Sequence, residues 1–206
     1  MDHVPSPVPF DTGFLRLISG GGPRNPPPPS VGPAVRHELD RHNWAALGCG
    51  CGRSAEHVPT MFEAIITAQS REDFAGRTLF NHLEIATDVV ECAVPAVGVI
   101  LAALAGRLSA PARHLLLETL YTVVAGGTHD SELQMGNWDR DEQCRGKARE
   151  GLWTVLQVGL TGDAHDADLA ADICELVDPD GPRSAFYQAR LRERTAAELL
   201  MRQAVG

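Results

Sequence analysis

Val58-Pro-Thr-Met-Phe-Glu-Ala-Ile-Ile66 and Val94-Pro-Ala-Val-Gly-Val-Ile-Leu-Ala-Ala-Leu104 open alike, about 36 residues apart. In each, proline sits in the first helical turn, where a missing N–H loses no intrahelical partner. Val58, Met61, Phe62, Ile65 and Ile66 fall on one helical face, as do Val94, Val97, Ile100, Leu101 and Leu104. A second segment follows each run. The first, Ser70 to Ala86, carries Phe74, Leu79 and Leu83; the second, Ser109 to Val124, carries Leu115, Leu116, Leu120 and Val123. Ser70 with Asp73 three residues on, and Ser109 ahead of Pro111, are helix-start signals. Two helical segments recurring at this length predict an array of helix pairs, each covering the apolar flank its neighbour leaves bare.

Outward from this repeat, Ala34 to Leu47 reads as a leading helix carrying Val35, Leu39 and Trp44, broken by Gly48-Cys-Gly-Cys-Gly52. From Thr128 to Gly146 the apolar period lapses into a polar, acidic insertion. Helix returns near Ala148, and Leu152 to Leu176 supplies a third pair. After the turn Asp178-Pro-Asp-Gly-Pro182, residues Ser184 to Ala204 form an Arg-rich closing helix, with Phe186, Ala189, Ala196, Leu199 and Leu200 as its apolar seam. Residues 1–33 hold nine of the fourteen prolines and read as an extended or disordered arm. The predicted fold is all-α: a short α-solenoid of about three helix pairs over 34–206, with an insertion at 128–146, a capping C-terminal helix and the Pro-rich arm.

The formal net charge of −9 argues against nucleic acid and anionic membranes, both of which need clustered Lys and Arg. Five cysteines, an odd number in a chain of 206 residues, argue against a disulfide framework and point to a reducing cytoplasm. No apolar run reaches the length of a membrane span.

Chemistry-bearing residues gather in four places. The insertion holds His129, Asp130 and Glu132, a general acid–base set if the chain is an enzyme. It also holds Trp138, Asp139, Asp141, Glu142 and Arg145, an aromatic among charges that suits an interface. His82 and Glu84 extend the candidate binding set. Cys49-Gly50-Cys51 offers two thiols to a soft metal or a redox pair, but zinc needs two further ligands and only His57 lies near in sequence. No metal or cofactor is therefore assigned. Arg183, Arg190, Arg192 and Arg194 form a basic run interrupted by Glu193 and Glu198, which reads as a solvated helix surface. Walker, dinucleotide and nucleophile-elbow motifs are absent from the sequence.

The Val58-Pro59 and Val94-Pro95 starts, with Trp44-Ala-Ala-Leu47 ahead, Asn81-His82-Leu83 after the first pair and Asp178-Pro179-Asp180 near the end, resemble bacterial HEAT-like repeat proteins. The likeness spans roughly Trp44 to Asp180, and the third repeat departs from it, with Leu152-Trp153 where Val-Pro would stand. The resemblance implies a helical scaffold whose uses include protein, ligand or nucleic-acid binding, and it transfers no catalytic residue. The expectation is a protein-binding module that uses its concave face and the acidic insertion. Its partner would be a protein, such as a basic one or a paired subunit. The alternative is an enzyme or enzyme subunit acting on a small molecule in a pocket closed by 128–146.

Overall fold

The computed structural model describes residues 30–205, so residues 1–29 of the expected arm lie outside the described chain. Its helices are α1 (Pro33–Asp40), α2 (Val58–Thr67), α3 (Ala93–Leu104), α4 (Ala110–Ala125), α5 (Asp130–Gln134), α6 (Arg140–Glu150), α7 (Leu152–Thr161), α8 (Ala164–Val177) and α9 (Pro182–Val205). A two-stranded antiparallel hairpin, β1 (Glu84–Ile85) and β2 (Asp88–Val89), pairs Glu84 with Val89 and Ile85 with Asp88. The described residues are thus mostly α-helical, as the periodicity predicts. No described helix is long and apolar enough to cross a membrane.

Local chemistry sets the helix starts. Proline stands in the first turn of α1, α2 and α4. Ser109 caps α4 by accepting from the Ala112 N–H (3.3 Å), and its hydroxyl donates to the Ala68 carbonyl (2.7 Å) at the end of α2. One serine therefore starts one helix and anchors the end of another. Asp163 accepts from the N–H groups of His165 and Asp166 (3.0 and 3.1 Å), while the Asp166 carboxylate accepts from the Asp163 N–H (3.0 Å), closing a capping box on α8.

Packing centres on α3. Val97, Val99 and Ile100 on different sides of that helix are all fully buried. It is covered by α1, α4, α6 and α7; α4 in turn meets α2, α6 and α8, and α8 meets α7 and α9. Only Gly151 separates α6 from α7. A Cβ at Gly151 would lie 2.6 Å from Cδ1 of Leu101, so the chain turns over α3 at a point where a side chain would have to displace that of Leu101.

Four expectations need correction. Ser70 to Ala86 is not a helix. Asp73 accepts from the N–H groups of Gln69 and Ser70 (2.8 and 2.9 Å), which makes a tight turn and one 3-10 turn at Glu72–Phe74. Left-handed backbone at Gly76, Asn81, Ala86 and Thr87 then bars helix continuation. Phe74, Leu79 and Leu83 are still buried, but from irregular chain. The leading helix stops at Asp40, and Trp44 reaches the core from a separate 3-10 turn. Much of the insertion is helical: α6 begins at Arg140, and only Cys144 and Ala148 of it are buried, too narrow a seam to register as a period. In α9 the apolar seam is out of phase. Phe186, Leu199 and Leu200 are exposed, whereas Ser184 and Leu191 are buried. Polar side chains dock that face because they meet backbone carbonyls: Ser184 bonds to that of Cys174, Arg194 to those of Leu160 and Gly162 at the end of α7, and Thr195 to that of Ala164 at the start of α8.

Leu120, fully buried at the centre of α4, tests this core. Leu120→Ala is expected to lower unfolding free energy by about 2–5 kcal/mol in urea titrations followed by circular dichroism.

Candidate functional site

The insertion is built around one buried carboxylate. Glu132, 2 % exposed, accepts from the Glu91 N–H (3.1 Å) with one oxygen. Its other oxygen accepts from Asn137 Nδ2 (2.8 Å) and Arg140 Nε (3.2 Å). Arg140 reaches on to Glu91 (3.5 Å), whose second oxygen accepts from the Gly48 N–H (2.9 Å). Both Glu132 oxygens are therefore committed. His129 caps α5, its Nδ1 accepting from the Ser131 N–H (3.2 Å), and Asp130 is exposed to solvent. His129, Asp130 and Glu132 stand close in sequence, but both oxygens of Glu132 and Nδ1 of His129 are spent on holding the segment together, and Asp130 faces solvent.

The other insertion residues divide in two. Asp141 accepts from the Thr128 hydroxyl (2.7 Å) and pairs with Arg145. Arg145 also pairs with Glu142 (3.0 Å) and donates to the Val124 and Gly126 carbonyls (3.2 and 3.3 Å), stapling α6 to the end of α4. Trp138 and Asp139 instead face solvent, the indole 72 % exposed, and Met135 beside them is 66 % exposed. A cavity of about 780 Å³ lies elsewhere, between the α3–α4 turn and α7, lined in part by Arg107, Ser109, Arg113, Trp153 and Gln157. No residue of 128–146 lines it.

His82 and Glu84, grouped by sequence as one binding pair, serve different ends. Glu84 is 2 % exposed and accepts from the Asn81 N–H (2.9 Å), fixing the left-handed turn before the hairpin. His82 joins Cys49, Cys51 and His57. One donor atom from each of the four lies within 4.8 Å of all the others. The Cys49 and Cys51 sulfurs are 3.3 Å apart and unbonded. Cys49 Sγ is 3.3 Å from His82 Nδ1 and 3.7 Å from His57 Nε2. Cys51 Sγ is 3.9 Å from His57 Nε2, and the two ring nitrogens are 2.9 Å apart.

Backbone bonds hold these donors in place. The 48–54 loop closes on itself through Cys49 N–H to the Arg53 carbonyl (3.0 Å) and Gly52 N–H to the Cys49 carbonyl (2.9 Å), with Gly52 left-handed. Gly50 N–H donates to the His82 carbonyl (2.8 Å). A Cβ at Gly50 would lie 2.6 Å from the Glu84 carbonyl oxygen, so only glycine lets the two loops touch. Cys92, buried behind them, donates from its thiol to the same His82 carbonyl (3.2 Å). The neighbouring Cys92 thiol is the main reason the Cys49 thiol is held down to about 4; burial opposes it, and Cys51 and His82 add to it. Cys49 and burial push the Cys92 thiol up. Sequence spacing put only His57 near the two cysteines. His82 is 33 residues from Cys49, and only the folding of 70–92 onto the glycine-rich loop unites them.

A second constellation is His114, Asp163 and Asp166. His114 Nε2 lies 2.9 Å from Asp163 and 3.4 Å from Asp166, and the buried Asp166 pairs with Arg113 (2.7 Å). A guanidinium already neutralises this site, so it reads as an ion-paired clasp between α4 and α8. Comparison with known proteins returns nothing for either constellation: no protein-family model, no curated protein and no solved structure matches this chain.

Glu132→Ala removes a buried acceptor from Arg140, Asn137 and the Glu91 N–H, leaving Arg140 with Glu91 and Gln143, and is expected to cost about 1–3 kcal/mol of stability in chemical denaturation. Acid should loosen the molecule in a defined window. The Asp141 and Asp163 carboxyls both lie below the ordinary carboxylate range. In each, burial works upward and is outweighed, by the Thr128 hydroxyl and Arg145 at Asp141 and by the Asp166 N–H and His114 at Asp163. A depressed folded-state pKa contributes stability above the unfolded value, near pH 4, and loses it as pH falls through the folded value. Asp163→Asn should therefore lower the urea midpoint at pH 7 and flatten its decline below about pH 4.

Proposed function

We propose that the chain is a protein-binding helical-repeat module, of the HEAT-like kind its Val-Pro starts resemble, acting in the cytoplasm. The order of helix contacts supports a side-by-side array. α1 meets α3, which meets α6 and α7; α2 meets α4, which meets α8. In this reading α6 and α7 together take the place of one bent repeat helix, and α9 closes the end.

The observation that carries recognition is Trp138, left 72 % exposed while Trp44 is 5 % exposed in the core. Aromatic side chains on a fixed surface are preferred interface anchors, because they supply much apolar area at little conformational cost. The Glu132–Arg140–Glu91 network beneath holds the segment that bears Trp138 and Met135. Asp139 adjoins the indole and Glu142 lies one helical turn on, both exposed. Carboxylates beside an apolar anchor select a partner that brings Lys or Arg to the rim.

A photo-crosslinking residue at position 138, introduced in native cells, tests this reading. A single discrete adduct is expected, and it should disappear when Asp139→Lys and Glu142→Lys are added. Label that is diffuse, or an adduct indifferent to both charge reversals, refutes it.

A further inference from the structure

We propose that Cys49, Cys51, His57 and His82 bind one zinc(II) ion in a tetrahedral site, independently of any partner recognised by the insertion. The four side chains come from three separate pieces of chain: the 48–54 loop, the 3-10 turn at Ala55–His57 and the irregular segment before β1. A tetrahedral zinc with sulfur and imidazole ligands has donor–donor edges of about 3.3–3.8 Å. Five of the six edges are 3.3, 3.3, 3.7, 3.9 and 2.9 Å, close to that tetrahedron with the two ring nitrogens drawn together, and the sixth, Cys51 to His82, lies within 4.8 Å. An S₂N₂ donor set of this shape favours zinc over the harder cations, which take oxygen. Two thiolates and a divalent cation also sum to zero charge, which suits a site whose Cys49 is buried.

The surrounding backbone is arranged for this. Gly50 is required by the approach of the Glu84 carbonyl, and Asn81 and Gly52 hold left-handed conformations on either side. The His82 carbonyl accepts from Gly50 N–H and from the Cys92 thiol, so the ring of His82 is presented from a backbone bonded to both loops. Bonds of this kind around a ligand fix its orientation toward a metal. All four coordination positions are filled by the protein, leaving none for a substrate water; the site is structural. Its place in the fold gives it a task. Residues 70–92 contain no α-helix, so the loop layer beside α2 and α3 lacks the packing a second repeat helix would give. A metal joining Cys49 to His82 closes that layer and removes unfolded-state freedom across the intervening chain.

The full-length chain, purified under reducing conditions, is stripped of metal and titrated with zinc(II), then separately with cobalt(II). Expected are one zinc per chain by elemental analysis, the intense visible absorption of tetrahedral cobalt, and thiolate-to-cobalt charge transfer in the near ultraviolet. Cys49→Ser, Cys51→Ser, His57→Ala and His82→Ala should each weaken cobalt and zinc binding by more than about 100-fold, and Cys92→Ala by about tenfold, because it acts through a ligand. Cys144→Ala, remote from the loops, should leave the spectrum unchanged. Far-ultraviolet circular dichroism of each variant separates lost ligation from lost folding, since none of the four ligands lies in an α-helix and a folded variant keeps the helical signal. A chain that takes up no stoichiometric zinc, an octahedral cobalt spectrum, a spectrum unmoved by His82→Ala in a folded variant, or a Cys49–Cys51 disulfide in the reduced preparation overturns the assignment.

Discussion

The constraint on which the rest of the structure depends is the burial of α3 on nearly all its sides. Ala93, Ala96, Val97, Val99 and Ile100 are all fully buried, and only the stripe Val94, Gly98 and Ala102 is partly exposed. Apolar area removed from water stabilises by roughly 25 cal/mol per Å², and a helix apolar all round gains it only when neighbours enclose it. Four helices, α1, α4, α6 and α7, do so. The bend at Gly151 follows from the same demand, since α6 and α7 must both lie against α3 and the junction passes over Leu101, whose side chain a Cβ there would displace.

Once α3 and its neighbours are set, the irregular segment 70–92 has a role that packing alone does not fill. It buries Phe74, Leu79 and Leu83, but its backbone turns away from helix and offers carbonyls to the glycine-rich loop. Cys92 N–H to the Gly48 carbonyl and Gly48 N–H to Glu91 extend the contact to the start of α3 and, through Arg140, to the insertion. The thiol–imidazole cluster and the Trp138 segment are thus joined by a chain of polar bonds running through Glu91. Charged groups in that chain are partnered, which is the condition for burying them at all.

Polar side chains decide several places that apolar counting misreads. In α9 the docked face carries Ser184, Arg194 and Thr195, which donate to backbone carbonyls of α7 and α8. The apolar residues Phe186, Leu199, Leu200 and Met201 are left outward. In α6 a helix with seven charged residues among eleven packs through Cys144 and Ala148, with Arg145 and Arg149 reaching carbonyls of α4 and α8. Neither pattern shows as a hydrophobic period, since what is satisfied there is hydrogen bonding more than area.

Sequence alone determined the helical class, the start of α2 at Val58-Pro59, the Ser109 cap of α4 and much of the α3 and α4 core, though Val94 and Leu115 are only partly buried and Val99 and Leu117 are buried unforeseen. Each rests on interactions within one or two helical turns, and such local rules are written in order along the chain. It also marked Cys49-Gly50-Cys51, His57 and His82, but in separate groups. Tertiary structure alone decided that Ser70 to Ala86 is not a helix, that Glu132 is committed to Arg140 and Glu91, and that His82 meets two cysteines 33 and 31 residues away. Those outcomes depend on contacts between distant segments, where a backbone carbonyl or a missing Cβ outweighs the preference of any single stretch.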